Sequence, residues 1–409
     1  MKLFLPFKHP KQMNDERLNF TSLLLVASSV IFISPFFLGM GGFKGNILSL
    51  MVLMIIFFIK RGRVSVKSSF SIFFLLFLSL FSMFYWESVT LIKFAIYFYS
   101  ILFLIFLLSF EDIYKFTDYL SKFLIVLLIG GVIGFVYAYY LGGEAIFSIA
   151  NEDTRKNGFY LSTFSSTYLN GLIRPSGIFD EPGALSFITC ITVALRESLG
   201  MRRKSSWILL LLGFITLSTA HAIFFALYFA KIKFTTLKRF MINMFSLLIG
   251  LLLLMSFDNP INDVVSYVLN RFAIVDGGFV GDNRSQLLIN AYSYLDLKTF
   301  LFGLDVNSLL NLSYADKGYA QFCCNPLTPL THYGIFISLP YYLTIGYILV
   351  RSIKYKNLIA FGVFLLLLQR PYVMSYGYAV LIMIYAYSLS LKQKKALAPC
   401  VRIPVRSVI

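Results

Sequence analysis

Three groups of polar residues interrupt an otherwise apolar chain at spacings that suit anion binding and proton transfer. The first is Arg174-Pro-Ser-Gly-Ile-Phe-Asp-Glu181-Pro182-Gly183, where an arginine, a glycine able to turn the backbone and paired carboxylates run straight into an apolar stretch. Arginine's planar fork matches phosphate oxygens bidentately, and a carboxylate can take up a proton. The same spacing also describes a plain helix start, with Asp180 or Glu181 as the cap and Arg174 paired to one of them. The second group is Gly281-Asp282-Asn283-Arg284-Ser285, followed by an amphipathic stretch over 286–297 and by Phe302-Gly303-Leu304-Asp305. Arg284 opens that stretch, where a cation gains nothing from the helix dipole, so anion binding is favoured over helix stabilisation. The third is Asn325-Pro326, which reads as an N-cap and first helical position, with Thr328 and His332 on the same face of the following helix. His332 is a candidate for handling a proton, against the alternative of a buried imidazole bonded to a backbone carbonyl. His221, beside Ser218 and Thr219, and Arg370, between Gln369 and Pro371, complete the set. Arg370 also fits a side chain that snorkels to a membrane interface. Donors from Arg174, Arg284, Arg370 and His221 on one face would suit a lipid with a phosphate or pyrophosphate head group.

The elements that must position these residues follow from composition. Of 409 residues, 58% are hydrophobic and 13% charged, with 44 Phe and 26 Tyr, whereas a soluble chain runs at about 25% charged. An ordinary soluble protein is excluded. Twelve apolar stretches can be marked off, near 20–39, 46–59, 69–86, 91–110, 122–141, 183–198, 206–219, 220–232, 239–257, 327–350, 357–369 and 371–390, most of them close to the roughly 20 residues a helix needs to cross a bilayer. The expected fold is an all-α integral membrane protein of about 12 transmembrane helices, a single polytopic domain over 1–409. The run 206–232 also fits one long tilted or broken helix.

Lysine and arginine decide between these. The formal net charge of +17 would, in a soluble protein, point to nucleic acid. With twelve spans and both termini cytoplasmic, 26 of the 36 basic residues fall on the inner side, against 6 of the 19 acidic ones, as the positive-inside bias requires. Merging 206–232 into one span would put the later basic clusters on the wrong face. The charge therefore orients the chain and gives no support to a nucleic-acid partner. The first apolar stretch follows a polar 19-residue segment without a clear small-residue cleavage site, so the first helix is expected to remain as an anchor. Two outward loops are long, 142–182 and 258–326, and hold most of the candidate residues. Cys190, Cys323, Cys324 and Cys400 do not make a disulfide framework, and no internal repeat of a two-halved transporter is visible.

This layout resembles the bacterial O-antigen polymerases of the Wzy type, within the wider O-antigen polymerase and ligase superfamily. The resemblance rests on Arg174-x-x-Gly177-x-x-x-Glu181-Pro182 closing a long outer loop, on Arg284 followed by Phe302-Gly303-x-Asp305, and on Asn325 followed by an apolar helix reaching Gly334-Ile335. It spans nearly the whole chain as topology but only some 80 residues as motif. There are departures: His221 stands where the family often has arginine, Asp305 replaces a second glycine, and Cys324 replaces the histidine that ligases present before the asparagine.

The resemblance implies a GT-C-like membrane glycosyltransferase without metal or other cofactor, working at the periplasmic face of the bacterial inner membrane. Its partners would be undecaprenyl-pyrophosphate-linked glycans, membrane lipid and a chain-length regulator protein. Arg174, Arg284, Arg370, His221 and Asn325 are then the expected contacts to pyrophosphate or sugar, and Glu181, His332 and Arg284 the catalytic candidates. An O-antigen ligase is the alternative within enzymes, and a polysaccharide flippase or other transporter the alternative outside them.

Overall fold

The computed structural model describes residues 19–31, 45–60, 77, 80, 84–85, 101, 104–105, 107–150, 156–169, 172–233, 266, 273–275, 278–279, 285–304, 325–369 and 376–397. Within them the chain is mostly helical. The helices are α1 (Phe20–Val26, continued by a π-helical turn to Ile31), α2 (Gly45–Lys60), α3 (Phe110–Tyr140), α4 (Pro182–Ser198), α5 (Arg203–Gly213) and α6 (Thr219–Lys233), followed by α7 (Ser285–Ser293), α8 (Leu297–Phe302), α9 (Thr328–Lys354), α10 (Leu358–Gln369) and α11 (Tyr376–Leu397). Among the described residues, α3 and α9 are long and apolar enough to cross a membrane, and several further helices are apolar but shorter. The stretches expected near 69–86 and 91–110 lie mostly, and 239–257 wholly, outside the described residues.

In α3 the exposed residues Val126, Ile129, Ile133, Val136 and Tyr140 recur at spacings of three and four, so they form one apolar stripe. The opposite stripe, through Ile113, Phe116, Leu120, Leu124 and Leu128, is buried. A helix apolar on both faces suits a hydrocarbon surround, where an exposed Ile or Val meets a solvent of its own kind. At the centre lies α4, almost every residue of which is buried from Ala184 to Arg196. It packs against α3, α5, α6, α10 and α11, which explains an apolar surface with no polar side. The first motif therefore opens at the N-terminus of the central helix.

The run 206–232 is a helical hairpin. Trp207 lies against Phe225, Tyr228 and Phe229, and Phe214 against His221 and Phe225, so α5 and α6 run antiparallel. The reversal uses a single 3-10 turn, Phe214–Thr216, and a left-handed Leu217. The 11 residues of α5 reach roughly 16 Å, so this arm is shorter than the span expected for it.

The all-α expectation is corrected in the first loop. Residues 142–182 carry strands β1 (Phe147–Ala150), β2 (Lys156–Tyr160) and β3 (Thr163–Ser165) in one antiparallel sheet, and the pair β4 (Tyr168–Leu169) and β5 (Leu172–Ile173). Phe147 faces Phe159, and Phe159 faces Phe164, with ring centroids 5.0 and 4.9 Å apart, a cross-strand aromatic ladder. The second loop holds a two-stranded turn, Ile274–Val275 with Gly278–Phe279, and then α7 and α8, where one amphipathic helix over 286–297 was expected.

On the other side of the bundle, the start of α1, the end of α2 and the start of α3 meet at Asp112. Its carboxylate accepts from Asn19 Nδ2 (3.0 Å), Lys60 Nζ (2.6 Å) and Ser109 N (2.9 Å), and Ser109 Oγ accepts from the Asp112 amide to complete a capping box. Asp112 is 1% exposed, and the helix ends that converge on it are ones the lysine and arginine bias assigns to a single face. Replacing Asp112 by Ala leaves Lys60 without its carboxylate and removes the half of the capping box in which Ser109 N donates to that carboxylate. The expected loss is about 3 kcal/mol of stability, read by thermal unfolding in detergent. Glu111→Ala, which removes the exposed carboxylate of a helical ion pair with the largely covered Lys115, should cost under about 0.5 kcal/mol.

Candidate functional site

The segment from Arg174 to Pro182 is folded as one unit against the sheet and the C-terminal half of α3. Arg174 N donates to Ser165 Oγ, Ser176 N to Phe164 O, Phe164 N to Gly177 O and Gly177 N to Thr163 Oγ1. Gly177 has φ +63, a left-handed backbone that glycine adopts without strain, and Phe179 behind it is fully buried. The sheet reaches α3 through glycines. A Cβ at Gly134 would lie 2.5 Å from Thr163 Cγ2 and 2.6 Å from Tyr160 O, and one at Gly131 would lie 3.2 Å from Pro175. Ser162 Oγ donates to Gly130 O. Gly130-Gly131-x-x-Gly134 thus forms the seat of the outer sheet. Its spacing is visible in the sequence as small residues on one helical face, a signal the motif reading passed over.

Held this way, the half-buried Arg174 extends to the α5–α6 reversal. Its Nε donates to Thr216 O (3.2 Å) and its Nη2 to Leu217 O (3.3 Å). Leu217 sits at φ 48, ψ 40, a conformation costing an L-residue with a Cβ roughly 1–2 kcal/mol, and the guanidinium binds the carbonyls on either side of its φ and ψ. Glu181 occupies the N-cap position of α4 with Pro182 next, but its side chain makes no capping hydrogen bond. The plain helix-start reading is therefore right about the position of Glu181, although the helix is not capped by its side chain.

His221 does not face an outer cavity. It is fully buried, with Nε2 2.8 Å from Leu210 O and Nδ1 3.4 Å from Cys190 Sγ. Because a carbonyl only accepts, Nε2 carries the hydrogen and Nδ1 receives the thiol's. A Cβ at Gly213 would meet the ring at 2.2 Å, so Gly213 makes the space for it. One ring nitrogen closes the hairpin and the other reaches Cys190 of α4, so the residue expected to contact pyrophosphate is placed in the packed interior.

A second cluster forms at the start of α9. Asn325 is 1% exposed; its Oδ1 accepts from Leu327 N (2.8 Å) and its Nδ2 donates to Leu287 O of α7 (3.2 Å). The helix begins at Thr328 with Leu327 as its N-cap, so Asn325 makes a side-chain turn before the helix and ties it to the loop. The helix then breaks at Gly334 (φ 67, ψ 173), a region open essentially to glycine alone. Gly303, at φ 81 and ψ −179, closes α8 against this break. A Cβ on Gly334 would lie 2.4 Å from Leu301 O, and one on Gly303 would lie 2.5 Å from His332 O. Leu304 N donates to Thr331 O across the same contact (2.7 Å). The second and third motifs thus meet backbone to backbone, with the partly exposed His332 two residues before the break. At the start of α8, the Thr299 amide holds the Asp296 carboxyl below the usual carboxylate range.

Arg174 and His221 therefore lie at the hairpin turn, and Asn325 and His332 at the break in α9. Between them runs α10, which packs on both α6 and α9 and ends at Gln369, one residue before Arg370. Arg284 and Arg370 themselves lie outside the described residues. Among the described residues no group of three or more His, Cys, Asp or Glu is placed to hold a metal ion. No protein-family model, curated protein or solved structure matches the chain.

Alanine at Gly303 or at Gly334 forces a Cβ into backbone and a side chain into a glycine-only conformation. Each should cost at least about 1–3 kcal/mol, with proteolysis opening between α8 and α9. Gly346→Ala, where a Cβ meets open space, should be neutral or stabilising by up to about 1 kcal/mol in the same assay.

Proposed function

We propose that the chain is a polytopic inner-membrane glycosyltransferase of the O-antigen polymerase kind. In this reading about twelve helices cross the bilayer, both termini are cytoplasmic, and the loops 142–182 and 258–326 lie in the periplasm. It joins oligosaccharide repeat units carried on undecaprenyl pyrophosphate, one glycan serving as donor and the terminal sugar hydroxyl of another as acceptor. The observation that carries the reading is the seating of Arg174: a guanidinium fixed by two backbone carbonyls at the mouth of the hairpin, seven residues before a carboxylate that does not cap its own helix.

The chemistry asks for three things. Negative charge developing on the departing pyrophosphate must be stabilised, the attacking hydroxyl must lose a proton, and both lipids must stay in the bilayer. Arg174 serves the first, together with Arg284 and Arg370 from the motif reading. Glu181 and His332 are the groups for the second. An arginine whose rotamer is set by the fold loses little reorganisation energy as charge develops, which is the condition for electrostatic catalysis. The apolar stripe of α3 serves the third. A chain-length regulator is the protein partner this reading adds.

The test is the polysaccharide ladder on a lipopolysaccharide gel, with turnover measured on lipid-linked repeat units. Arg174→Ala should lower kcat by about 10²–10³ and collapse the ladder. Arg174→Lys, which keeps charge but not the planar fork, should leave a shortened one. A full ladder from both Arg174→Ala and Arg284→Ala would overturn the assignment. Deletion of the gene should leave a single repeat unit on the lipid A core. Lipid-linked polymer left unattached would indicate a ligase instead, and repeat units held on the cytoplasmic leaflet a flippase.

A further inference from the structure

The helical elbow α7–α8 presents an apolar face that nothing in the mechanism above uses. On α7, Leu288, Ile289 and Tyr292 point outward, and on α8 Leu297 and Phe300 do the same; Ile289, Tyr292 and Leu297 are 60%, 71% and 76% exposed. The opposite side is the packed one, with Ala291 and Thr299 buried and Asn325 bonded to the Leu287 carbonyl.

The level of this elbow along the bundle is fixed by its contacts. Gly303 lies against Gly334, and from Ile335 to Lys354 the helix runs 20 residues without a further non-helical residue, about 30 Å and so about one hydrocarbon thickness. Its far end carries Arg351 and Lys354. Phe302 packs on Phe336, two residues into that length (centroids 5.8 Å apart), and stacks on Tyr85 at 4.1 Å, while Lys298 lies over the same Tyr85 ring. The end of α8 therefore sits at the depth where the continuous helix begins. A short amphipathic helix at that depth, with Tyr, Phe and Leu outward and Lys nearby, has the composition of an interfacial helix.

We propose that α7–α8 is a membrane-interface element that inserts Leu288, Ile289, Tyr292, Leu297 and Phe300 into the outer leaflet of the bilayer surrounding the helices. It rests on the chain being embedded in a membrane and is independent of any glycosyl transfer. Burial in the leaflet fixes the height of the second loop relative to the lipid head groups, so that the Gly303–Gly334 contact and His332 are held at the interface itself.

Site-directed spin labelling of the full chain in phosphatidylethanolamine and phosphatidylglycerol vesicles tests this, with the four native cysteines replaced by alanine. Nitroxides at Ile289→Cys, Tyr292→Cys and Leu297→Cys should collide more with oxygen than with a water-soluble nickel chelate, as should one at Ile133→Cys on the apolar stripe of α3. Glu144→Cys, exposed in the first loop, should show the reverse. Nickel access at the three elbow positions, with Ile133→Cys still in lipid, overturns the proposal; so does poor access to both reagents, which would mean that protein covers the face. Nickel access at Ile133→Cys would instead remove the membrane premise. If the cysteine-free chain does not fold, Ile289→Trp in a chain whose Trp86 and Trp207 are replaced by Phe gives the same reading: quenching by brominated lipid supports insertion, and quenching by aqueous iodide alone overturns it.

Discussion

Irregular backbone packed beside apolar helices must find its hydrogen bonds inside the protein, and it can approach a helix closely enough only where the helix has no Cβ. This constraint organises the half of the molecule that carries the first loop's sheet and the α8–α9 contact. The sheet of the first loop is seated on Gly130, Gly131 and Gly134 of α3, and the second loop is seated on Gly334 of α9 through its own Gly303. The imidazole of His221 takes the place that a side chain at Gly213 would fill. In each case a peptide or side-chain polar group is satisfied at the point of contact: Ser162 with Gly130 O, Leu304 with Thr331 O, His221 with Leu210 O. Close approach and hydrogen-bond satisfaction are the same event here, since a methyl group inserted at the contact would push the pairs apart.

The helices were readable from the chain because length, hydropathy and the lysine and arginine bias all bear on the same segments. α4, α6, α9 and α10 begin within two residues of the expected stretches. The reversal inside 206–232 could be inferred from charge alone, since a single crossing would have stranded Lys231 and Lys233 on the wrong face. The outer sheet could not. Its strands are three to five residues long and those of the adjoining β4–β5 pair two, too short for alternation to stand out, and their stability comes from docking on α3, a contact distant in sequence. The break in α9 was hidden for a related reason. Gly334-Ile335 reads as an ordinary small residue in an apolar helix until Gly303 arrives to occupy the space it leaves.

The candidate site was legible in its residues but not in their roles. Arg174 and Asn325 were singled out by type and spacing, and both are positioned by tertiary contacts, yet Asn325 is a tie between loop and helix and His221 a closure of the hairpin. Arg196 shows the converse. Counted among the inner basic residues, it is in fact 3% exposed and bonds to Ser206 Oγ, Ser121 Oγ and Arg202 O, joining α3, α4 and the start of α5. A charge count treats Arg196 and Arg174 alike except for side. The guanidinium of Arg196 meets neutral oxygens from three directions, and that of Arg174 meets, among its partners, both carbonyls of one strained turn.

That difference extends to the two ends of the bundle. At the end bearing Asp112 and Arg196, helices are joined largely through side chains: carboxylate to lysine, guanidinium to hydroxyls, Tyr228 to Glu197, Lys231 to Asn357. Long side chains adjust, so such joints tolerate small shifts between helices. At the other end the joints described above are largely backbone contacts at glycine, which tolerate almost none, because peptide groups meeting at van der Waals distance have no rotamers to change. On the proposed glycosyl-transfer reading, a site that holds an arginine and a proton carrier against a charged lipid head group needs its supporting backbone fixed to a fraction of an ångström. The glycine-seated end supplies that rigidity, and it is the end where Arg174, Glu181, Asn325 and His332 are found.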